Sequence, residues 1–99
     1  MKFIGYSFAS IDVEAIIAKY KKIQEERKQF PDRYPKMLQL QDGTPITFMI
    51  ESRKAIQFYE ATEEQLINLA TRWLPEVTFE FVPLLDKIKF VETYQKLNK

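Results

Sequence analysis

Five polar side chains that can take part in catalysis or ligand binding fall on segments that alternate in the way strands do: Ser7, Glu51, Gln57, Tyr59 and Glu80. Together they offer a hydroxyl, an amide, a phenol and two carboxylates, which can hold a small organic molecule by hydrogen bonds. The two carboxylates can also divide acid and base roles if their pKa values differ. We predict that the five line one ligand cavity. The plainer alternative is that they satisfy hydrogen bonds at a protein contact or face solvent.

The chain contains no histidine and no cysteine. These absences exclude Ser-His-Asp and Cys-His catalysis, thiolate metal sites and structural zinc of the usual kind. The only glycines are Gly5 and Gly43, so a glycine-rich phosphate loop is excluded as well. We therefore expect no bound metal and no cofactor.

The length of 99 residues predicts a single domain, 1–99, and an apolar content of 45% is enough to form a core. Fifteen basic and fourteen acidic residues give a net charge of +1, which favours neither nucleic acid nor a membrane surface as a partner. No apolar run approaches the roughly 20 residues that cross a bilayer. The expected location is cytoplasmic.

The order of the predicted elements gives the fold class. Strands are predicted at 2–8, 46–51, 55–60 and 77–82, with a short one at 37–41. One helix begins after Ser10 or Asp12 and ends before Pro31, and a second begins at a Thr62–Gln65 capping box. A C-terminal helix is expected at about 86–97. This order predicts an α+β, ferredoxin-like βαββαβ domain, with an antiparallel sheet and helices on one face.

Alternation within the strands predicts which face the helices cover. We expect that face to carry the bulkier apolar side chains, namely Ile4, Tyr6, Ile46, Phe48, Ile50, Ile56, Phe58, Val77, Phe79 and Phe81. The other face is then semi-polar and carries the five candidate site residues. Because it also exposes Phe3, Met49 and Val82, we expect a homodimer that covers this sheet face.

The segment from Ile56 to Asp86 resembles a small bacterial and archaeal family, domain of unknown function 3303. The resemblance rests on the sequence Gln57-Phe58-Tyr59-Glu60-Ala61-Thr62, on Trp73 near the end of a helix, and on Phe79-Glu80-Phe81-Val82-Pro83-Leu84-Leu85-Asp86. It implies a ferredoxin-like unit of the dimeric α+β barrel type. It implies no activity, because the family has no established one.

Two functional hypotheses follow. The first is an uncharacterised homodimeric domain that binds a small organic ligand or a protein partner. The alternative is a cofactor-free oxygenase or isomerase-like enzyme that uses Tyr59, Gln57 or Glu80. Arg33-Tyr34 and Arg53-Lys54 lie in predicted loops that can clamp an anion, whereas Trp73 lies on an apolar helix stripe and is expected in the core or at an interface.

Overall fold

The computed structural model describes residues 1–98, so Lys99, the last residue of the predicted domain, lies outside the described part. The elements in chain order are β1 (Lys2–Ala9), α1 (Val13–Gln29), a 3₁₀ turn (Pro31–Arg33), β2 (Lys36–Met37), β3 (Thr47–Glu51), β4 (Lys54–Glu60), α2 (Glu63–Trp73), β5 (Val77–Pro83) and α3 (Lys87–Leu97). The predicted α+β class is confirmed.

The five strands form one open antiparallel sheet. β1 lies between β4 and β5, and both β2 and β3 pair with the outer edge of β4. β2 lies opposite Glu60 and Tyr59, whereas β3 lies opposite Gln57 to Lys54. The order β2-β4-β1-β5, with β3 beside β4, is not the classic βαββαβ order, because the two-residue strand β2 takes one end of the β4 edge.

The connection between β2 and β3 is an ordered loop. Instead of the strand predicted at 37–41, the chain forms β2 and then an isolated bridge between Gln39 and Pro45. The loop contains a turn at Asp42-Gly43: the Thr44 N–H donates to the Asp42 carboxylate at 2.9 Å, and Gly43 has a φ of 88°. A positive φ of this size favours glycine.

Helix α2 forms as its sequence predicts. The Gln65 N–H donates to the Thr62 hydroxyl at 3.2 Å, and the Thr62 N–H donates to the Gln65 side-chain oxygen at 3.0 Å. This reciprocal pair satisfies two N–H groups that the first helical turn leaves free. Leu66, Leu69 and Trp73 are buried, which places the apolar stripe of α2 in the core. Burial of each such side chain stabilises the fold by about 1.5–3 kcal/mol.

Helix α1 packs less closely than its apolar pattern predicts. Asp12 caps it, accepting from the Ala15 N–H at 2.9 Å, but Ile23 is its only buried residue and Ile17 is 48% exposed. Polar contacts hold it: the Lys19 ammonium donates to the carbonyls of Trp73 at 3.0 Å and Leu74 at 3.2 Å. α1 is thus fastened at points along its length, and a gap remains between it and the sheet.

Two further ionic contacts fasten α1. Lys19 pairs with Glu76, and this hydrogen bond lowers the pKa of the Glu76 carboxyl. Arg72 of α2 lies 2.9 Å from the Glu26 carboxylate. The first contact joins α1 to the connection between α2 and β5, and the second joins it to the C-terminal part of α2.

The predicted assignment of the sheet faces is wrong for β1, β3 and β4. Tyr6 lies opposite Ile56 on one side and Glu80 on the other, and Ile56 lies opposite Phe48, so these side chains share one face. Phe79, one residue before Glu80, therefore points to the other face. Phe48 and Phe58 do not lie on the same side as Phe79.

The face towards α1 and α2 carries the odd-numbered strand residues. The core there contains Ala9, Tyr59 and Val77, with Phe3, Phe79 and Phe81 packed against it. We call the opposite side the open face, and no helix covers it within residues 1–98. It carries Ile4, Tyr6, Phe8, Phe48, Ile50, Ile56, Phe58, Thr78, Glu80 and Val82.

Helix α3 forms at the predicted position but has no buried residue. Asp86 caps it, accepting from the Lys89 N–H at 2.8 Å. The molecule measures 55 × 30 × 29 Å, an elongated shape for a chain of this length.

Candidate functional site

The structure divides the five predicted site residues among three places. Ser7, Gln57 and Tyr59 share the helix-facing side of the sheet, which is the side opposite to the one predicted. Glu80 lies on the open face. Glu51 lies at the end of the β3–β4 hairpin, where its carboxylate is 3.6 Å from the Lys54 ammonium.

Ser7, Gln57 and Tyr59 line a cleft of about 320 Å³ between α1 and the sheet. Its walls are mostly apolar and come from α1, β2, β3, β4 and the end of α2. The apolar and aromatic lining residues include Ile16, Ile23, Met37, Met49, Leu69 and Trp73. A cleft of this volume, apolar with a few polar groups, is typical of small-molecule sites.

The cleft exists because the strands below α1 carry small residues. Ser7, Ala9 and Ala55 occupy neighbouring positions on β1 and β4, and none of them fills the space beneath the helix. Tyr34 and Pro35 are buried at the far end of α1, where the Arg27 guanidinium donates to the Pro35 carbonyl at 2.5 Å. This contact holds α1 to the loop and not to the strands, so the space between helix and strands stays open.

Gln57 gives the cleft its polar character. Its side-chain N–H donates to the Ser7 hydroxyl at 3.2 Å, and that hydroxyl lies 3.5 Å from the Ala55 carbonyl. The Gln57 side-chain oxygen is buried and accepts no hydrogen bond from residues 1–98. A buried acceptor without a donor is unfavourable by about 1–3 kcal/mol, so this oxygen is suited to accept from a ligand.

Tyr59 is a structural wall of the cleft. Its ring is 5% exposed and meets Phe81 edge to face, with 6.2 Å between the ring centroids. Burial raises the pKa of the Tyr59 phenol, and the positive charge of Arg27 opposes this only in part. The phenol is therefore neutral at physiological pH and is a poor general base there.

The two loop segments predicted to clamp an anion, Arg33-Tyr34 and Arg53-Lys54, do not bring their cationic side chains to one common site. Arg53 lines the cleft, but its neighbour Lys54 lies beside Glu51. Arg33 lies over the ring of Phe30, 4.1 Å from its centroid, outside the cleft. Arg27 and Arg53 are thus the cationic side chains that reach the cleft within residues 1–98.

Several cleft residues were not predicted as site residues. Ile16, Tyr20, Ile23 and Arg27 follow one another at intervals of three and four, which places them on the side of α1 that faces the sheet. This spacing was visible in the sequence, but it is equally typical of a helix that packs fully into a core. Trp73 is buried, as expected, and also contributes to the cleft wall.

The three residues proposed for an oxygenase or isomerase do not meet. Tyr59 and Gln57 line the cleft, whereas Glu80 is on the other side of the sheet. Helices long and apolar enough to cross a membrane are absent from the described part of the chain, as are clusters of three or more acidic side chains placed to hold a metal ion.

Comparisons with protein-family models, with curated proteins and with solved structures give no match. The resemblance of Ile56–Asp86 to family 3303 stays a prediction.

Proposed function

We propose that this domain binds a small, largely apolar organic molecule that carries a hydrogen-bond donor, in the cleft between α1 and the sheet. The observation behind the proposal is the buried, unpaired side-chain oxygen of Gln57 in a largely apolar cleft. A hydroxyl or N–H group on the ligand would satisfy this oxygen. The apolar part of the ligand would replace water against Ile16, Met49 and Trp73.

The polar groups of the cleft set the ligand's orientation. Gln57 and Ser7 are at the sheet floor, whereas Arg27 and Arg53 reach the cleft from α1 and from the β3–β4 turn. We propose that the donor group of the ligand points to the floor. An oxygenase or isomerase reaction is not part of this proposal, since Glu80 is on the open face.

The methionines supply a test. The chain has three methionines, of which Met37 and Met49 line the cleft and Met1 does not. Para-ethylphenol, a small apolar molecule with one hydroxyl donor, is titrated into protein labelled at the methionine methyl carbons, and NMR spectra are recorded. We expect the Met37 and Met49 signals to shift saturably while the Met1 signal stays in place.

The control ligand is para-ethylanisole, which has the same ring and no donor. Gln57→Leu should weaken the binding of para-ethylphenol several-fold and leave that of para-ethylanisole unchanged. Equal weakening of both ligands, or no saturable shift at Met37 and Met49, would overturn the proposal.

We also propose that the sheet is a ferredoxin-like unit with β2 as an added edge strand, and that the domain is a homodimer of the dimeric α+β barrel type. Without β2, the order β3-β4-β1-β5 and the two intervening helices support this fold assignment. The open face supports the homodimer. Phe48 is 60% exposed there and Ile50 57%, beside Tyr6 and Phe8, and contiguous apolar surface of this kind is typical of an interface.

A further inference from the structure

Helix α3 has an apolar side that no other part of residues 1–98 covers. Ile88 is 72% exposed, Tyr94 60% and Leu97 77%, and Val91 completes the row at intervals of three. At 100° per residue these side chains share half of the helix circumference, whereas Lys89, Thr93 and Lys96 share the other half. An isolated helix of 11 residues is marginal in water. Its helical state therefore needs a surface to pack against.

The open face is the surface that matches α3 in chemistry. Both are apolar, both are uncovered in the described chain, and the sheet face has no helix of its own. The dimensions also match. Eleven helical residues span roughly 16 Å at about 1.5 Å each. The four strands β3, β4, β1 and β5 span roughly 14 Å at about 4.8 Å between neighbours.

The charges of the two surfaces are complementary. Glu80 is exposed on the open face, halfway along the edge strand β5, and forms no ion pair within residues 1–98. Helix α3 carries Lys87, Lys89 and Lys96 against one acidic residue, Glu92. Lys87 precedes Val91 by four residues and Tyr94 by seven, which places it on the apolar side of the helix. A lysine at that position can meet a carboxylate within an apolar surface.

We infer that α3 is an exchanged arm: the α3 of one copy lies across the open face of a second copy, and the second copy's α3 lies across the face of the first. This inference rests on the proposed homodimer and modifies its interface: the two open faces turn towards each other as in a dimeric α+β barrel, with the two α3 helices lying between them. It concerns the side of the sheet away from the cleft, so it is independent of the proposed ligand.

The path of the chain favours a second copy over the chain's own face. The Leu84 N–H donates to the Lys2 carbonyl at 2.9 Å, which holds the chain to the sheet up to that residue. Only Leu85 and Asp86 then separate the sheet from α3. After this short link no α3 residue is buried against the rest of the described chain. Exchange in a two-fold dimer covers both apolar surfaces of both copies and leaves none exposed.

The first test is a pair of variants on α3, measured by analytical ultracentrifugation over a range of concentrations. Val91→Glu places a charge on the apolar side, and Thr93→Glu places the same charge on the polar side. We expect Val91→Glu to raise the dimer dissociation constant at least ten-fold and Thr93→Glu to change it less than two-fold. No α3 residue is buried, so the sheet and α2 should fold normally in both variants, which circular dichroism verifies.

The second test mixes two damaged chains. Phe48→Glu damages the open face, and we expect it to raise the dissociation constant as Val91→Glu does. In a mixed dimer, the intact arm of the Phe48→Glu copy meets the intact face of the Val91→Glu copy, and both substitutions fall in the other contact. One introduced charge already abolishes that contact, so a second charge in the same contact cannot weaken the dimer further. The mixture should therefore form heterodimers more tightly than either variant forms homodimers.

Each outcome discriminates. A natural chain that stays monomeric at all concentrations overturns both the homodimer and the exchanged arm, and protection of α3 from proteolysis in that monomer identifies the chain's own face as its docking site. A dimer that Val91→Glu leaves intact overturns the arm but retains the homodimer. If Phe48→Glu and Val91→Glu each lose the dimer and a mixture of the two does not recover it, exchange is contradicted as well. None of these outcomes bears on the methionine shifts that test the cleft.

Discussion

Gly5 lies against the ring of Tyr59 so closely that a β-carbon on Gly5 would be 3.0 Å from the ring atom Cε2. The same β-carbon would be 3.2 Å from Cε1 of Phe81. Gly5 is buried in the middle of β1, and Tyr59 and Phe81 are on the strands at either side. The absence of a side chain at this position is what lets the two rings meet above β1.

Gly5→Ala should therefore lower the free energy of unfolding by about 1–3 kcal/mol, since an added methyl group in a packed region forces neighbouring side chains to move. The ring of Tyr59 can yield only towards the cleft, so binding of para-ethylphenol should weaken as well. Chemical denaturation measures the change. An unaltered unfolding free energy for Gly5→Ala would mean that the rings have room to move.

Gln57→Leu should change stability by less than about 1 kcal/mol, because removal of a buried oxygen that has no donor offsets the loss of the hydrogen bond to the Ser7 hydroxyl. Gln65→Leu is the matched control: the Gln65 side chain accepts from the Thr62 N–H and donates to the Asp32 carbonyl at 3.1 Å. Its loss should destabilise the fold by about 1 kcal/mol. Equal destabilisation by the two substitutions would contradict the account of Gln57.

We predict that ionisation of the buried Tyr59 phenol lowers the stability of the fold at alkaline pH. Its pKa is raised in the folded state by burial, whereas in the unfolded chain a tyrosine has a pKa of about 10. The folded state therefore holds the proton more tightly, and the stabilisation is complete below pH about 10 and declines as the pH rises above it. In Tyr59→Phe this decline should be shallower by up to about 1.4 kcal/mol per pH unit.

Denaturant midpoints measured between pH about 8 and 11 would show this difference, because that range spans the ordinary tyrosine pKa. Parallel profiles for the natural chain and Tyr59→Phe would show that Tyr59 ionises equally in both states.

Local signals predicted the helices well. The Thr62–Gln65 capping box and the buried stripe of α2 are present, and α3 starts at its Asp86 cap. Such signals act over one or two turns, so the sequence contains all the residues that determine them. The presence of α3 was predictable for this reason, but its lack of contact with the body was not, since an amphipathic pattern does not say what the apolar side will meet.

The faces of the sheet were not predictable from alternation, because both sides of its strands are apolar. In β1, Phe3 and Ala9 face the helices while Ile4 and Phe8 face away. The expectation that the bulkier set faces the helices is correct for Val77, Phe79 and Phe81 of β5, but in β1, β3 and β4 the structure leaves the bulkier set uncovered. Ser7, Gln57 and Tyr59 were correctly grouped, since a shared face depends only on pairing register. Glu80 lies on the face away from the helices, as expected, but apart from these three residues, because the register of β5 against β1 has no local signal.

The cap of α3 tests whether this helix forms only when it docks on a second copy or is already formed in the monomer. Asp86→Ala removes the acceptor for the Lys89 N–H, a loss of about 1 kcal/mol of helix stability. If α3 is helical only when docked, the lost helix stability lowers the free energy of dimer formation and not the stability of the monomer. Each dimer has two arms, so about 2 kcal/mol is lost and the dissociation constant should rise roughly thirty-fold.

Thr62→Ala removes the equivalent cap of α2, which is buried within one chain, and should lower the unfolding free energy without changing the dissociation constant. Sedimentation and denaturation measured on both variants provide the comparison. If Asp86→Ala also leaves the dissociation constant unchanged, α3 is not part of the interface between copies.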